Sequence, residues 1–219
     1  MMPTAVVTGA SQGVGLATTR ALLEAGYTVY AQFRSSPADL DHPNLHWWHA
    51  DFTDTVTVPD EVAPQSITAL IHCAGVAQLG STHDQPRRDW EHHMAINLHA
   101  PVELTQHLLP QLIQSSGQVI YINSGAGHHT HPMWGAYSAS KHAARAWCEA
   151  LRQETPAIRV TSIYPGRIAT EMQRAIRHQE NQDYNPDDYI SADTIAGTIL
   201  NVLNTPADAQ IPDLIIRPR

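Results

Sequence analysis

Cysteine is nearly missing from this sequence: Cys73 and Cys148 are the only two in 219 residues. Two cysteines build no disulfide framework, and their separation is no metal-ligand spacing, so each is expected to be a small core residue. Charge is scarce as well, at 16% of residues, and Lys+Arg number 13 against 21 Asp+Glu, for a formal net charge of −8. No Lys/Arg run is present to neutralise a phosphate backbone, which argues against nucleic-acid binding. No apolar stretch approaches the roughly 20 residues needed to cross a bilayer. The N-terminal MMPTAVVTGA enters strand-like sequence without a basic segment and an apolar core. Neither membrane association nor a signal peptide is therefore expected, and a reducing cytoplasm is the default location. Internal repeats and low-complexity tracts are absent too. What is there is ordinary core-forming material, 42% hydrophobic, in a length suited to one domain or at most two small ones.

Short apolar runs alternate with helix-length segments along the chain. Residues 4–8, 28–33, 67–73, 118–123 and 158–164 are rich in Val, Ile, Thr and Tyr and read as strands, with Leu45–Ala50 and Leu214–Arg217 as weaker candidates. Val14–Ala25, Arg87–Gln114, Trp134–Glu154 and Ala192–Asn204 read as helices, the first closed by Gly26 and the third by Pro156. The alternation predicts βαβ units, hence a single α/β domain over residues 1–219, with a parallel sheet covered on both faces. The polar segment Glu171–Asp188 interrupts the pattern and reads as a loop or lid. On the third helix Ala139, Ala143, Ala146, Trp147, Ala150 and Leu151 recur at helical spacing, which predicts that most pack on the sheet. Trp47 and Trp48 alternate across a strand, one facing in and one out.

Two stretches carry chemistry. The first strand runs into Thr8-Gly9-Ala10-Ser11-Gln12-Gly13-Val14-Gly15 and then a helix. Glycines in this setting let the backbone approach a pyrophosphate, and the helix N-terminus offers unpaired N–H groups and a partial positive charge. The second strand ends Ala31-Gln32-Phe33-Arg34-Ser35-Ser36, with no acid before Asp39. An acid there would hydrogen-bond the ribose of NAD; Arg34, aided by Ser35 and Ser36, suits a 2′-phosphate instead, so NADP(H) is the expected cofactor. The other stretch is Tyr137-Ser138-Ala139-Ser140-Lys141, whose Tyr137 and Lys141 stand four apart and share a helix face. A free phenol titrates at about 10, and a neighbouring ammonium is expected to lower it, making Tyr137 an acid/base for carbonyl–alcohol interconversion. Ser124, at the end of the fifth strand, is placed to meet Tyr137 over a carbonyl oxygen.

Taken in order, these residues resemble the short-chain dehydrogenase/reductase family, in its short, NADP-preferring form, over nearly the whole length. Thr8–Gly15 is similar to the family's glycine motif, including Gly9, Ser11, Gln12, Gly13, Val14 and Gly15. Asp51, followed by Phe52, stands where the family contacts adenine. His72-Cys73-Ala74-Gly75 occupies the place of the family's Asn-Asn-Ala-Gly, keeping Ala74 and Gly75 but losing both amides, which puts the usual bracing of the central strands in doubt. Asn97, Ser124, Tyr137 and Lys141 correspond to the family's tetrad, and Tyr164-Pro165-Gly166-Arg167-Ile168-Ala169-Thr170 to the segment holding the nicotinamide end, through Pro165, Gly166, Ile168 and Thr170. The resemblance implies a single doubly wound Rossmann-type domain with strand order 3-2-1-4-5-6-7, hydride exchange between NADP(H) and a carbonyl or alcohol, a short substrate lid at about 171–190, and a homodimer or homotetramer. It assigns Tyr137 proton transfer, Ser124 orientation of the oxygen, and Lys141 both the ribose contact and depression of the phenol pKa. Asn97 is to position a water leading to Lys141. An NAD-linked alcohol dehydrogenase and a non-catalytic dinucleotide-sensing regulator are the alternatives. The chain carries 14 histidines. His128, Met133 and Trp134, in the loop before Tyr137, are candidate substrate contacts; no metal is expected from one loop of histidines. His92-His93 and the His42/His46/His49 group are expected at the surface.

Overall fold

Every central strand alternates its apolar side chains between two cores, and this places helices on both sides of the sheet. The computed structural model describes residues 2–60, 62 and 66–219. Seven parallel strands, β1 (Thr4–Thr8), β2 (Thr28–Phe33), β3 (Leu45–His49), β4 (Ala69–His72), β5 (Gln118–Ile122), β6 (Arg159–Pro165) and β7 (Asp213–Ile216), lie in the order β3-β2-β1-β4-β5-β6-β7. Ala5, Val7, Val29, Ala31, Ala69, Ile71, Ile120 and Ile122 point to one core, closed by α1 (Gly13–Glu24) and α6 (Ala192–Leu203) through Leu22, Ile195 and Ile199. Val6, Tyr30, Leu70, Val119 and Tyr121 point to the other. There α3 (Ala100–Gln114) and α4 (Gly135–Glu154) contribute Leu104, Leu108, Ala144 and Cys148. The anticipated order is the one observed.

The expected helix Arg87–Gln114 is continuous but not uniform. It begins as α2 (Arg87–Met94), widens into a π-helical turn at Ala95–His99, and resumes as α3. Pro101 has no N–H, so the carbonyl of Asn97 four residues earlier is denied its α-helical donor by covalent structure. That carbonyl accepts instead from the Tyr121 hydroxyl at 2.6 Å.

Several local expectations are corrected. Glu171–Gln179, read as loop, forms helix α5, with Thr170 Oγ1 accepting from the Gln173 N–H at its N-terminus. On α4 the alanine stripe is turned away from the sheet: Ala139, Ala146 and Ala150 are exposed, while Tyr137, Lys141, Ala144, Cys148 and Leu151 form the buried face. The alanines carry too little apolar area to dictate orientation against larger side chains. Trp47 and Trp48 do take opposite faces, yet both pack, because each face of the sheet is covered. His93 is buried, not superficial: its Nδ1 lies 2.6 Å from the Asp89 carbonyl, and its Nε2 accepts from the Gln78 N–H.

Candidate active site

A cleft of about 1130 Å³ opens along the carboxyl ends of the strands, the edge where open α/β sheets hold ligands. At one end is the β1–α1 turn. Gly9 has φ +62°, and a Cβ there would lie 2.8 Å from the Ala74 backbone; at Gly15 it would lie 2.1 Å from the Gly9 carbonyl. Only bare backbone fits, and it leaves an open cradle lined by Gly9, Ser11, Gln12, Gly13, Val14 and Gly15 at the start of α1. Thr8 Oγ1 accepts from the N–H groups of Cys73 and Ala74, tying β1 to the strand end that carries Gly75. Sequence reasoning passed over Gln32. Buried at the end of β2, its Oε1 accepts from Gly9 N–H at 2.8 Å and its Nε2 donates to the Ala50 carbonyl at 2.7 Å, pinning three strand ends together.

Arg34, Ser35, Asp51 and Phe52 line the same end of the cleft. The Thr53 N–H and hydroxyl both donate to Asp51 and hold its carboxyl below the usual range. Arg34 forms no ion pair among the described residues, so its planar fork is open to the cleft. Ala74, Gly75, Pro165, Gly166, Ile168 and Thr170 continue the wall, with Thr170 opposite Gly13. An elongated cleft with a glycine cradle, an open arginine and a neighbouring carboxylate fits a phosphorylated dinucleotide.

Ser124, Tyr137 and Lys141 meet at the other end. Ser124 Oγ accepts from the Ala126 N–H at 3.1 Å, which leaves its own proton to donate into the cleft. Tyr137 is held edge-on between His93 and Trp134, with ring centroids 6.2 and 5.5 Å away. Burial raises its pKa above 10.0, while the Ser124 hydroxyl lowers it. The expected depression by Lys141 is not what the geometry provides. Lys141 Nζ sits 5.9 Å from the Tyr137 ring centre and donates to the Tyr121 hydroxyl at 3.0 Å and the Ile122 carbonyl at 2.9 Å. Burial pushes the pKa of this lysine, the only one in the chain, down to about 7.

Asn97 is fully buried and does not line the cleft. Its Oδ1 accepts from Val76 N–H, and its Nδ2 donates to the Val76 carbonyl and to Ser140 Oγ, so the side chain clamps the segment after Gly75 to α4. Between its main-chain carbonyl and Lys141 stands the hydroxyl of Tyr121, a residue the sequence marked only as part of a strand. His72 replaces the missing amide bracing: its Nε2 lies 2.9 Å from Thr105 Oγ1, linking β4 to α3. Burial, with the Lys141 charge adding to it, takes the His72 pKa down to about 3, so the ring stays neutral. The Cys73 thiol is pushed up to about 12 by burial and is no nucleophile at neutral pH.

Two candidate substrate contacts are not brought to the cleft. His128 turns away, its ring 4.1 Å from that of Tyr164 and its Nδ1 2.9 Å from an Arg145 nitrogen. Met133, at φ +72° and 48% exposed, faces solvent. Trp134 does line the cleft, joined by His129, His131 and Arg217. From α5 come Glu171, Met172, Gln173 and Ile176.

Residues 3–181 match the family model described as short chain dehydrogenase. The chain belongs to that family and is an oxidoreductase of it. The NADPH-dependent 3-dehydrocapnine reductase of Ornithobacterium rhinotracheale is 36% identical over 187 residues, spanning 77% of this chain and 66% of that protein. The serine 3-dehydrogenase of Agrobacterium fabrum is 32% identical over a 239-residue alignment, covering 100% of this chain and 94% of that one. A short chain dehydrogenase from Burkholderia cenocepacia solved in complex with NADP gives a TM-score of 0.81 at 27% identity, over 98% of this chain and 87% of the other. The closed form of a serine dehydrogenase complexed with NADP+ gives 0.84 at 24% identity, over 97% and 93%, a likeness of fold.

Proposed function

We propose that this chain interconverts a carbonyl and an alcohol with NADP(H), using Tyr137 as the general acid/base. The observation that carries the reading is the arrangement of one cleft, with a glycine cradle and an unpaired Arg34 at one end and Ser124, Tyr137 and Lys141 at the other. The cradle would hold the pyrophosphate, Arg34 and Ser35 the 2′-phosphate, Asp51 and Phe52 the adenine end, and Ile168 and Thr170 the nicotinamide end. The cofactor, when bound, supplies the hydride.

The chain's own groups manage the proton. A phenol kept protonated by burial is ready to donate to a substrate oxygen in the reductive direction. The Ser124 hydroxyl, which accepts from the Ala126 N–H, keeps its own proton to donate to the same oxygen and fix its position. Lys141 spends two of its three N–H groups on Tyr121 and Ile122, leaving one for the cleft. With a pKa of about 7 it exchanges protons readily near neutrality. The Tyr121 bridge holds it there, and Asn97 secures the backbone beside it.

Two further readings support a working enzyme. The segment 171–190 serves as lid: Gln179 on α5 accepts from the Leu79 N–H in the segment after β4, and Arg167 and Arg177 both hold Glu180 at its end. The outward alanine stripe of α4, beside half-buried Trp147, is the surface through which a homodimer would form.

The test is Tyr137→Phe. It keeps NADPH binding by fluorescence titration while carbonyl reduction falls by about 10²–10⁴-fold. Undiminished turnover would remove Tyr137 as the acid.

A further inference from the structure

The chain's last strand delivers a cation to the reacting end of the cleft. β7 runs parallel to β6 with Ile216 opposite Pro165, so the residue after it emerges at the ligand-binding edge of the sheet. That residue is Arg217, and it lines the cleft. Its path is built rather than incidental. Gly166 N–H donates to the Ile216 carbonyl at 2.7 Å, and a Cβ on Gly166 would meet Pro218 at 2.7 Å. A Cβ on Gly125, the residue after Ser124, would lie 3.4 Å from Arg217 Nη2. The guanidinium therefore rests against the backbone that carries the Ser124 hydroxyl.

Its hydrogen bonds leave it unfinished. Nη1 donates to the carbonyls of Tyr164 and Ile216, which anchors the fork, while Nε and Nη2 have no protein acceptor among the described residues. The carboxylates that line this end are already matched. Arg167 holds Glu180 through two bonds of 2.9 and 2.7 Å, and Glu171 faces Arg174 at 3.3 Å. Arg217 forms no ion pair among the described residues. A guanidinium anchored on one edge and free on the other presents paired donors to a carboxylate. In a chain of net charge −8, an anionic ligand needs such a local partner.

From this geometry we infer that Arg217 is a specificity-determining residue: the substrate is an oxo or hydroxy acid whose carboxylate, a few bonds from the reacting carbon, binds the Arg217 fork while Ser124 and Tyr137 hold the carbonyl oxygen. The inference rests on the carbonyl–alcohol reading proposed above. His129 and His131 border the same space.

The experiment pairs acids with their methyl esters: pyruvate against methyl pyruvate, and acetoacetate against methyl acetoacetate. Calorimetric titration in the presence of NADP+, where no reduction occurs, reads binding alone; NADPH consumption then reads kcat/KM. In the unmodified protein at least one acid binds tenfold or more tightly than its ester and is reduced with the same preference. In Arg217→Met that preference collapses to within about threefold, and Arg217→Lys, which keeps the charge without the fork, retains part of it. Equal binding of acid and ester by the unmodified protein, or an acid preference that survives in Arg217→Met, overturns the inference. Preferential acid binding without reduction of any carbonyl leaves the Arg217 site standing and overturns the proposed reaction instead. Ester and neutral ketone reduction with no preference for acids does the reverse.

Discussion

Replacing Lys141 with methionine is expected to make the protein more stable at neutral pH and less stable at alkaline pH. The side chain is 4% exposed, and desolvation brings its pKa from 10.5 to about 7. At ~1.4 kcal/mol per pH unit, keeping that ammonium inside the fold costs about 4–5 kcal/mol at low pH. The sign follows from which state binds the proton more tightly. Below pH 7 folded and unfolded chains both carry it, and the whole cost is felt. Between pH 7 and about 10.5 the unfolded chain keeps a proton that the folded chain releases, so stability climbs with pH. Above that range neither state is charged and the cost is gone. Methionine fills a similar volume but forfeits the bonds to Tyr121 and the Ile122 carbonyl, a loss of about 1–3 kcal/mol. The net expectation at pH 6–7 is a gain of about 2 kcal/mol, reversing to a loss of about 1–3 kcal/mol by pH 10.5. Urea unfolding of both proteins without cofactor, at one protein concentration and at pH steps from 6 to 10, measures the difference directly. A stability difference that does not move with pH, or an unmodified protein already the more stable at pH 6, would refute the account of Lys141 as a destabilising charge retained for chemistry.

Three other outcomes can be checked with the same preparations. Tyr121→Phe removes the hydroxyl that donates to the Asn97 carbonyl, whose α-helical donor is already missing at Pro101, and should cost about 1–3 kcal/mol in urea unfolding; an unchanged midpoint would show the bridge to be idle. Alcohol oxidation requires the Tyr137 phenolate, and burial raises that pKa above 10.0. Its kcat/KM should therefore climb about tenfold per pH unit from pH 7 to 9 with reduction nearly level, and a plateau in oxidation below pH 8 would contradict the raised phenol. Arg34→Asp should lower kcat/KM for NADPH by about 10–100-fold and spare NADH; an unaltered cofactor preference would release Arg34 from its assigned contact.

The histidines show where sequence reading reached its limit. His93 stands in a polar run that gives no hint of burial, and nothing around His72 in its strand names its partner, yet one packs beside Tyr137 and the other braces β4 against α3. Burial of a polar ring depends on finding a partner, and the partners come from other elements: Thr105 for His72 and the Gln78 N–H for His93. His128 erred the other way. Its place in the loop before Tyr137 suggested the cleft, but Arg145 and Tyr164 draw its ring aside.

From residue order alone came the strands and their alternation, the glycine turn between β1 and α1, an arginine in place of an acid after β2, and the expectation that Ser124 meets Tyr137 and Lys141. These depend on backbone propensity, side-chain period and helical spacing, all of which act within a few residues. Tertiary structure decided what the lysine touches and how acidic the phenol is, because desolvation and long-range partners set a pKa. It also set Gln32 across three strand ends, Tyr121 beneath Lys141, and Arg217 beside Ser124, more than ninety positions away in sequence. Such contacts follow from closing the sheet and stacking its ends, and no local pattern of residues encodes them.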